Sequence, residues 1–216
     1  MTGTTERTIA EEALEFFLEN EALRFGDFTL KSGRSSPYFF NTGSLSGGQQ
    51  LGQMGVLYGR AIKELECSDE IDLVFGSAYK GIPISIATTL WLSFGEDMAQ
   101  LRALSDRKEA KTHGDKGGFL GRYNEGERAV IVDDVITDGA TKREAIEKLR
   151  NVGIVPRALV IAFDRQEPVV AGGKTAVEVF AEEMEIPVRA LLTVDDIITA
   201  RPDLAETLRA HLATFA

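Results

Sequence analysis

The chain has 216 residues, 44% of them hydrophobic and 27% charged. A chain of this length buries roughly 70% of its unfolded surface, so one domain with a full core is expected, and wholesale disorder or collagen-like repeats are excluded. The 24 Lys+Arg against 34 Asp+Glu give a net charge of −10, which repels duplex DNA and obliges any site for a small anion to concentrate cations locally.

Residues 1–7 are polar and lack an apolar stretch, so no signal peptide is expected. The longest apolar run, 81–94, falls short of the roughly 20 residues of a membrane span and is broken by Pro83, Ser85, Thr88, Thr89 and Ser93. The single cysteine, Cys67, excludes an intramolecular disulfide and a cysteine zinc cage. A cytoplasmic protein without nucleic-acid or membrane partners is the resulting expectation.

Ala10, Ala13, Leu14, Phe17 and Leu18 share one face at helical spacing. Next comes RFGDFTLKSGRSSPYFFNTG, whose turn residues and aromatic run predict a small hairpin-like cap. A second helix is predicted over 49–66. The rhythm then changes. Apolar runs at 71–76, 128–134, 155–163 and 187–194, with an alternating segment at 99–105, are separated by helical patterns at 140–152 and 175–184. Strands alternating with helices predict an α/β fold with a mostly parallel sheet. Residues 195–200 and 202–212 read as closing helices. His211 is expected at the surface. GGKT (172–175) reads as a surface turn, since Pro168 stands where a phosphate-binding loop needs its first glycine. Residues 167–174 are expected to be mobile, and no role follows for them.

Two strand ends carry chemistry. VIVDDVITDGAT (130–141) runs a buried strand into Asp133 and Asp134, then through hydroxyl residues and a glycine into a helix start. Unpaired N–H groups at a helix start suit a phosphate, while the two acids suit sugar hydroxyls or developing positive charge. FGSAYKGIP (75–83) ends another strand in glycines and a lysine, Lys80. A third stretch, RKEAKTHGDKGG (107–118), is polar and bracketed by glycines. Its Arg107, Lys108, Lys111 and His113 suit an anion-grasping lid.

VIVDDVITDGAT resembles the phosphoribosyl pyrophosphate (PRPP) signature of type I phosphoribosyltransferases. FTLKSGRSSPYFFNTG, GSAYKGIP, RKEAKTHG and FDRQE resemble, in that order, blocks of the orotate phosphoribosyltransferase family. The resemblance spans about Arg24 to Glu167. It implies a single domain with the type I phosphoribosyltransferase fold, in which residues 1–45 form an N-terminal hood, and the transfer of phosphoribosyl from PRPP to orotate. Mg2+ would be held mainly by PRPP and pyrophosphate oxygens, with no protein ligand named.

Carried over by position, Thr137, Asp138, Gly139, Ala140 and Thr141 would cradle the 5′-phosphate, with the Asp138 side chain outward, and Val135 and Ile136 would also belong to the PRPP site. Asp133 and Asp134 would meet the ribose. Tyr79 and Lys80 would sit in a pyrophosphate loop that in the family often holds a non-proline cis peptide. Arg107, Lys108, Lys111 and His113 would reach pyrophosphate across a homodimer interface. Lys31, Phe39, Phe40, Thr137 and Arg165 would handle orotate. Lys111, Asp133, Asp134, Arg107, Lys108 and His113 are the catalytic candidates. The alternatives are a purine phosphoribosyltransferase and a non-catalytic PRPP-binding regulator. Two cations aimed at a carboxylated base argue against the first, and the acidic net charge against the second.

Overall fold

The computed structural model describes residues 7–30, 33–95, 98–107, 118–137, 139–170 and 172–215. Helix α1 (Ile9–Glu19) starts at Thr8, whose hydroxyl accepts the Glu11 N–H while the Glu11 carboxylate accepts that of Thr8. An antiparallel hairpin follows, β1 (Leu23–Thr29) and β2 (Ser35–Phe40), with an irregularity between Phe25 and Phe28. Helix α2 spans Gly48–Lys63, a turn shorter than its apolar pattern suggests.

The rest of the chain builds the expected α/β sheet. Its elements are β3 (Leu73–Gly76), α3 (Gly81–Gly95), β4 (Arg102–Asp106), β5 (Phe119–Leu120), β6 (Arg128–Val135), α4 (Ala140–Asn151), β7 (Val155–Asp164), α5 (Ala176–Met184), β8 (Val188–Thr193), α6 (Val194–Ala200) and α7 (Ala205–Ala213). Among the described residues the strand order is β5-β4-β3-β6-β7-β8, parallel throughout except for the short β5. Two-residue β5 carries no period for a sequence reading to detect.

Strand alternation divides the interior in two. Val74, Val130, Val132, Val160 and Ala162 face the core shared with α1, α2 and α3. Leu73, Phe75, Ala129, Ile131, Leu159 and Ile161 face the core under α4 and α5. From β3 the chain crosses to β4 on one side, and from β6 it crosses to β7 on the other. The sheet therefore has its topological switch between β3 and β6, where ligands bind beyond the carboxyl ends of the strands. The hairpin packs over the carboxyl end of β7. The Tyr38 and Phe40 rings lie 5.5 and 5.2 Å from that of Phe163.

Candidate active site

Three of the chemically marked blocks meet at that edge. The loop after β3 is locked by Gly76 and Gly81: a Cβ on Gly76 would lie 2.0 Å from the Gly81 carbonyl oxygen. This approach turns residues 77–80 tightly toward the switch point. The Ala78–Tyr79 peptide is cis. The Ala78 N–H donates to Asp106 Oδ1 at 2.7 Å, tying the loop to the end of β4. Tyr79 is 70% exposed, and the buried Ser77 hydroxyl has no hydrogen-bond partner among the described residues.

Asp133 and Asp134 are adjacent on β6, so their side chains leave opposite faces of the sheet. Asp134 turns to the β3 loop, where Lys80 Nζ lies 2.6 Å from its Oδ2. Asp133 turns to α4, where Lys142 Nζ lies 2.8 Å from its Oδ2, and both of these side chains are buried. Burial pushes the Asp133 carboxyl above the usual carboxylate range; the Lys142 ammonium opposes this and the Asp134 charge adds to it. Tyr58 fixes the strand end by donating to the Asp133 carbonyl at 2.7 Å.

Past Val135, the buried Ile136 side chain anchors the loop and Thr137 is exposed. Gly139 is left-handed (φ 72°), and its carbonyl accepts from the Lys142 and Arg143 N–H groups as α4 begins. Ala140 and Thr141 form the exposed first turn. The loop thus points the positive end of α4 into the crevice.

At the end of β7, Arg165 and Thr137 line one cavity of about 290 Å³, together with Arg34, Ile136, Asp164 and Glu167. A larger cavity, about 1040 Å³, runs along edge strand β8; its Arg7, Arg60 and Arg189 are held in ion pairs with Glu15, Glu12 and Glu64. Phe39 packs beside Phe28, and Phe40 sits edge-on against Phe17. Arg107 Nε donates to the Phe119 carbonyl, and its N–H to that of Gly118, so the two ends of the 107–118 segment are pinned together beside β4. Lys31, Lys108, Lys111, His113 and Asp138 lie outside the described residues.

One expectation is corrected. His211 is not at the surface: its side chain is 8% exposed, stacks edge-on against Tyr38 and contacts Glu167 Oε1 at 3.3 Å. Glu167, which begins the stretch expected to be mobile, is pinned among Arg165, Tyr38 and His211. The physical reason is the packing of α7 against β2, which a terminal amphipathic pattern does not reveal. GGKT does form a turn, and Thr175 caps α5. Sequence reasoning also missed Lys142 and Asp106. Lys142 had a signal: with Ala145, Ile146 and Leu149 it completes the buried stripe of α4, and a lysine there calls for a partner.

A crevice that sets an anion-accepting helix start beside two carboxylates, across the switch point of this strand order, suits a phosphorylated sugar and defines the type I phosphoribosyltransferase class. No protein-family model matches the chain. Individual relatives do. It is 42% identical over 211 residues to the orotate phosphoribosyltransferase of Stenotrophomonas maltophilia, covering 94% of each chain. It is 40% identical over 205 residues to that of Dichelobacter nodosus, covering 92% of this chain and 91% of the other. The crystal structure of the Francisella tularensis orotate phosphoribosyltransferase superposes with a TM-score of 0.79 at 32% identity, over 94% of this chain and 96% of that one. The chain belongs to the orotate phosphoribosyltransferase family.

Proposed function

We infer that the chain carries out its family's reaction in pyrimidine biosynthesis: PRPP and orotate give orotidine 5′-monophosphate and pyrophosphate. The observation that carries this reading is Arg165, which lines one cavity with Thr137 of the phosphate loop. A planar guanidinium matches the orotate carboxylate bidentately, whereas a neutral purine base offers it no such partner.

In this reading the 5′-phosphate takes the 137–141 loop and the pyrophosphate takes the 77–80 loop. As pyrophosphate leaves, positive charge develops at the ribose C1 and O4. The two carboxylates at the end of β6 are placed to stabilise it. Lys80 makes their use conditional. While its ammonium neutralises Asp134, that carboxylate is not available to the ribose. Incoming pyrophosphate draws Lys80 away and frees it.

Mg2+ prefers oxygen ligands and keeps several waters. Asp133 and Asp134 are each already paired with a lysine, so PRPP oxygens and waters would make up most of the ion's shell. The chemistry it would supply there is neutralisation of the leaving pyrophosphate. The hairpin β1–β2 would act as the hood. Arg107, Lys108, Lys111 and His113 would close over the pyrophosphate.

A homodimer is supported by an apolar stripe on α3: Ile86 is 46%, Leu90 53% and Phe94 87% exposed, in line with the exposed Tyr79 of the pyrophosphate loop. Phe94→Asp is expected to shift the protein to monomer in sedimentation velocity and to cut turnover at least tenfold, because the lid would lose the neighbouring site; an unchanged sedimentation coefficient contradicts this interface. Among the described residues no helix is long and apolar enough to cross a membrane. The lone buried thiol, Cys67, suits a reducing cytoplasm.

The test is loss of orotate absorbance with PRPP and Mg2+, with adenine, hypoxanthine and uracil run in parallel. Depletion of orotate alone, dependent on both PRPP and Mg2+, is expected. Turnover of another base instead would overturn the role of Arg165.

A further inference from the structure

The Arg165 guanidinium has two edges on which a carboxylate can sit in bidentate fashion, and the protein occupies one. On the Nε/Nη2 edge, Nε points to the Tyr38 hydroxyl at 3.4 Å, and Nη2 lies 2.5 Å from Glu167 Oε1. Nη2 is itself buried, so this edge is turned into the protein. The guanidinium carbon also sits 5.5 Å over the Tyr38 ring, which fixes its plane. With Nε and Nη2 held by the protein, Nη1 is the nitrogen left for the cavity that Arg165 lines.

Glu167 in turn is held from three directions. It accepts from the Tyr38 hydroxyl at 3.1 Å, contacts His211 Nε2 at 3.3 Å, and lies 3.7 Å from Arg34 Nη2. Its side chain is 11% exposed. Tyr38 comes from the hairpin, Arg165 and Glu167 follow β7, and His211 comes from α7 near the chain's end. A largely buried carboxylate gathering partners from three separate elements has few alternative positions.

We propose that Glu167, anchored by Tyr38 and His211, is the positioning residue of Arg165, so that recognition of the base carboxylate depends on the C-terminal helix. This rests on the reading of Arg165 as the orotate cation. Glu167 need not touch substrate: it orients the guanidinium so that Nη1 is turned to the cavity, sparing the cost of ordering a long side chain when orotate binds. His211 and Tyr38 act one step further out.

Steady-state kinetics separate the alternatives. Arg165→Ala is expected to raise the orotate KM about 100-fold with the PRPP KM within about twofold, since a buried charge-assisted pair is lost. Glu167→Gln is expected to raise the orotate KM about tenfold and again spare PRPP. In the Arg165→Ala background, Glu167→Gln should add less than about twofold, because a positioning residue has nothing left to position. His211→Ala should raise the orotate KM about threefold, and His211→Gln, which keeps a side-chain amide near Glu167, should recover most of it. Tyr38→Phe, which removes one hydroxyl and keeps the ring, gives the same reading if Glu167→Gln does not fold.

An Arg165→Ala effect on orotate alone, with Glu167→Gln leaving the orotate KM unchanged, raising both KM values equally, or adding fully to Arg165→Ala, overturns the proposal and leaves the orotate reading standing. An Arg165→Ala variant that loses orotate and PRPP equally overturns both.

Discussion

Gly76→Ala is expected to abolish PRPP binding and to destabilise the fold by about 3 kcal/mol, the upper range for overpacking a tight interior. The added Cβ would stand 2.0 Å from the Gly81 carbonyl oxygen, 2.4 Å from its carbon and 2.7 Å from Ser85 Oγ. Two of these atoms are backbone and cannot rotate away. Relief requires the 77–80 loop to move off the start of α3. That motion would carry Ala78 from Asp106 and Lys80 from Asp134, so the pyrophosphate end of the crevice would be lost with the packing. Calorimetric titration of PRPP and thermal unfolding check this. A variant with native PRPP affinity and an unchanged Tm would show that the approach of the two glycines is not required.

Lys142→Met is expected to cost about 3–5 kcal/mol of stability at neutral pH, the usual penalty for leaving one member of a buried ion pair alone. The methionine keeps most of the stem's volume, so the loss is one of charge. Its signature is the pH dependence. Burial already holds the Asp133 carboxyl above its unfolded value, against the pull of Lys142, and removing the ammonium raises it further. A carboxyl raised on folding binds its proton more tightly in the folded state, so it destabilises the fold above its folded-state pKa. That penalty disappears as pH falls below the unfolded value of about 4. The stability gap between variant and wild type should therefore narrow on acidification from pH 7.5 to 5. Urea unfolding at both values measures it, and a gap that is constant or wider at pH 5 contradicts the buried pair. Turnover should fall as well, since Asp133 is fixed in the crevice by this lysine.

The two variants probe different layers of what a sequence reader can see. Gly76 and Gly81 stand out in FGSAYKGIP because a strand ending in glycine asks for a close approach, although which backbone atoms approach is a tertiary fact. Lys142 reads as one more charged residue in ATKREAIEKLRN unless its place on the buried stripe is noticed.

Local patterning was sufficient for most of the architecture. Period-two and period-3.6 apolar spacing, with glycines and hydroxyl residues at the junctions, determined the strands β3, β4, β6, β7 and β8, the helices α1, α2, α4, α5, α6 and α7, and the placing of two chemical blocks at strand ends. The VDDVITDGAT order was enough to mark a phosphate loop, because a strand, a glycine and a helix start are contiguous in sequence. The pairings were decided only by the folded chain. Which face of β6 each aspartate takes, and so that Asp134 meets Lys80 while Asp133 meets Lys142, depends on the helices packed above each face. That His211 is inside rather than outside depends on α7 crossing β2, and the Arg165–Glu167–Tyr38–His211 cluster joins residues up to 173 positions apart (211 − 38). Side-chain periodicity is a local property of the backbone, whereas the burial of a charge and the identity of its partner arise only when distant elements close over it.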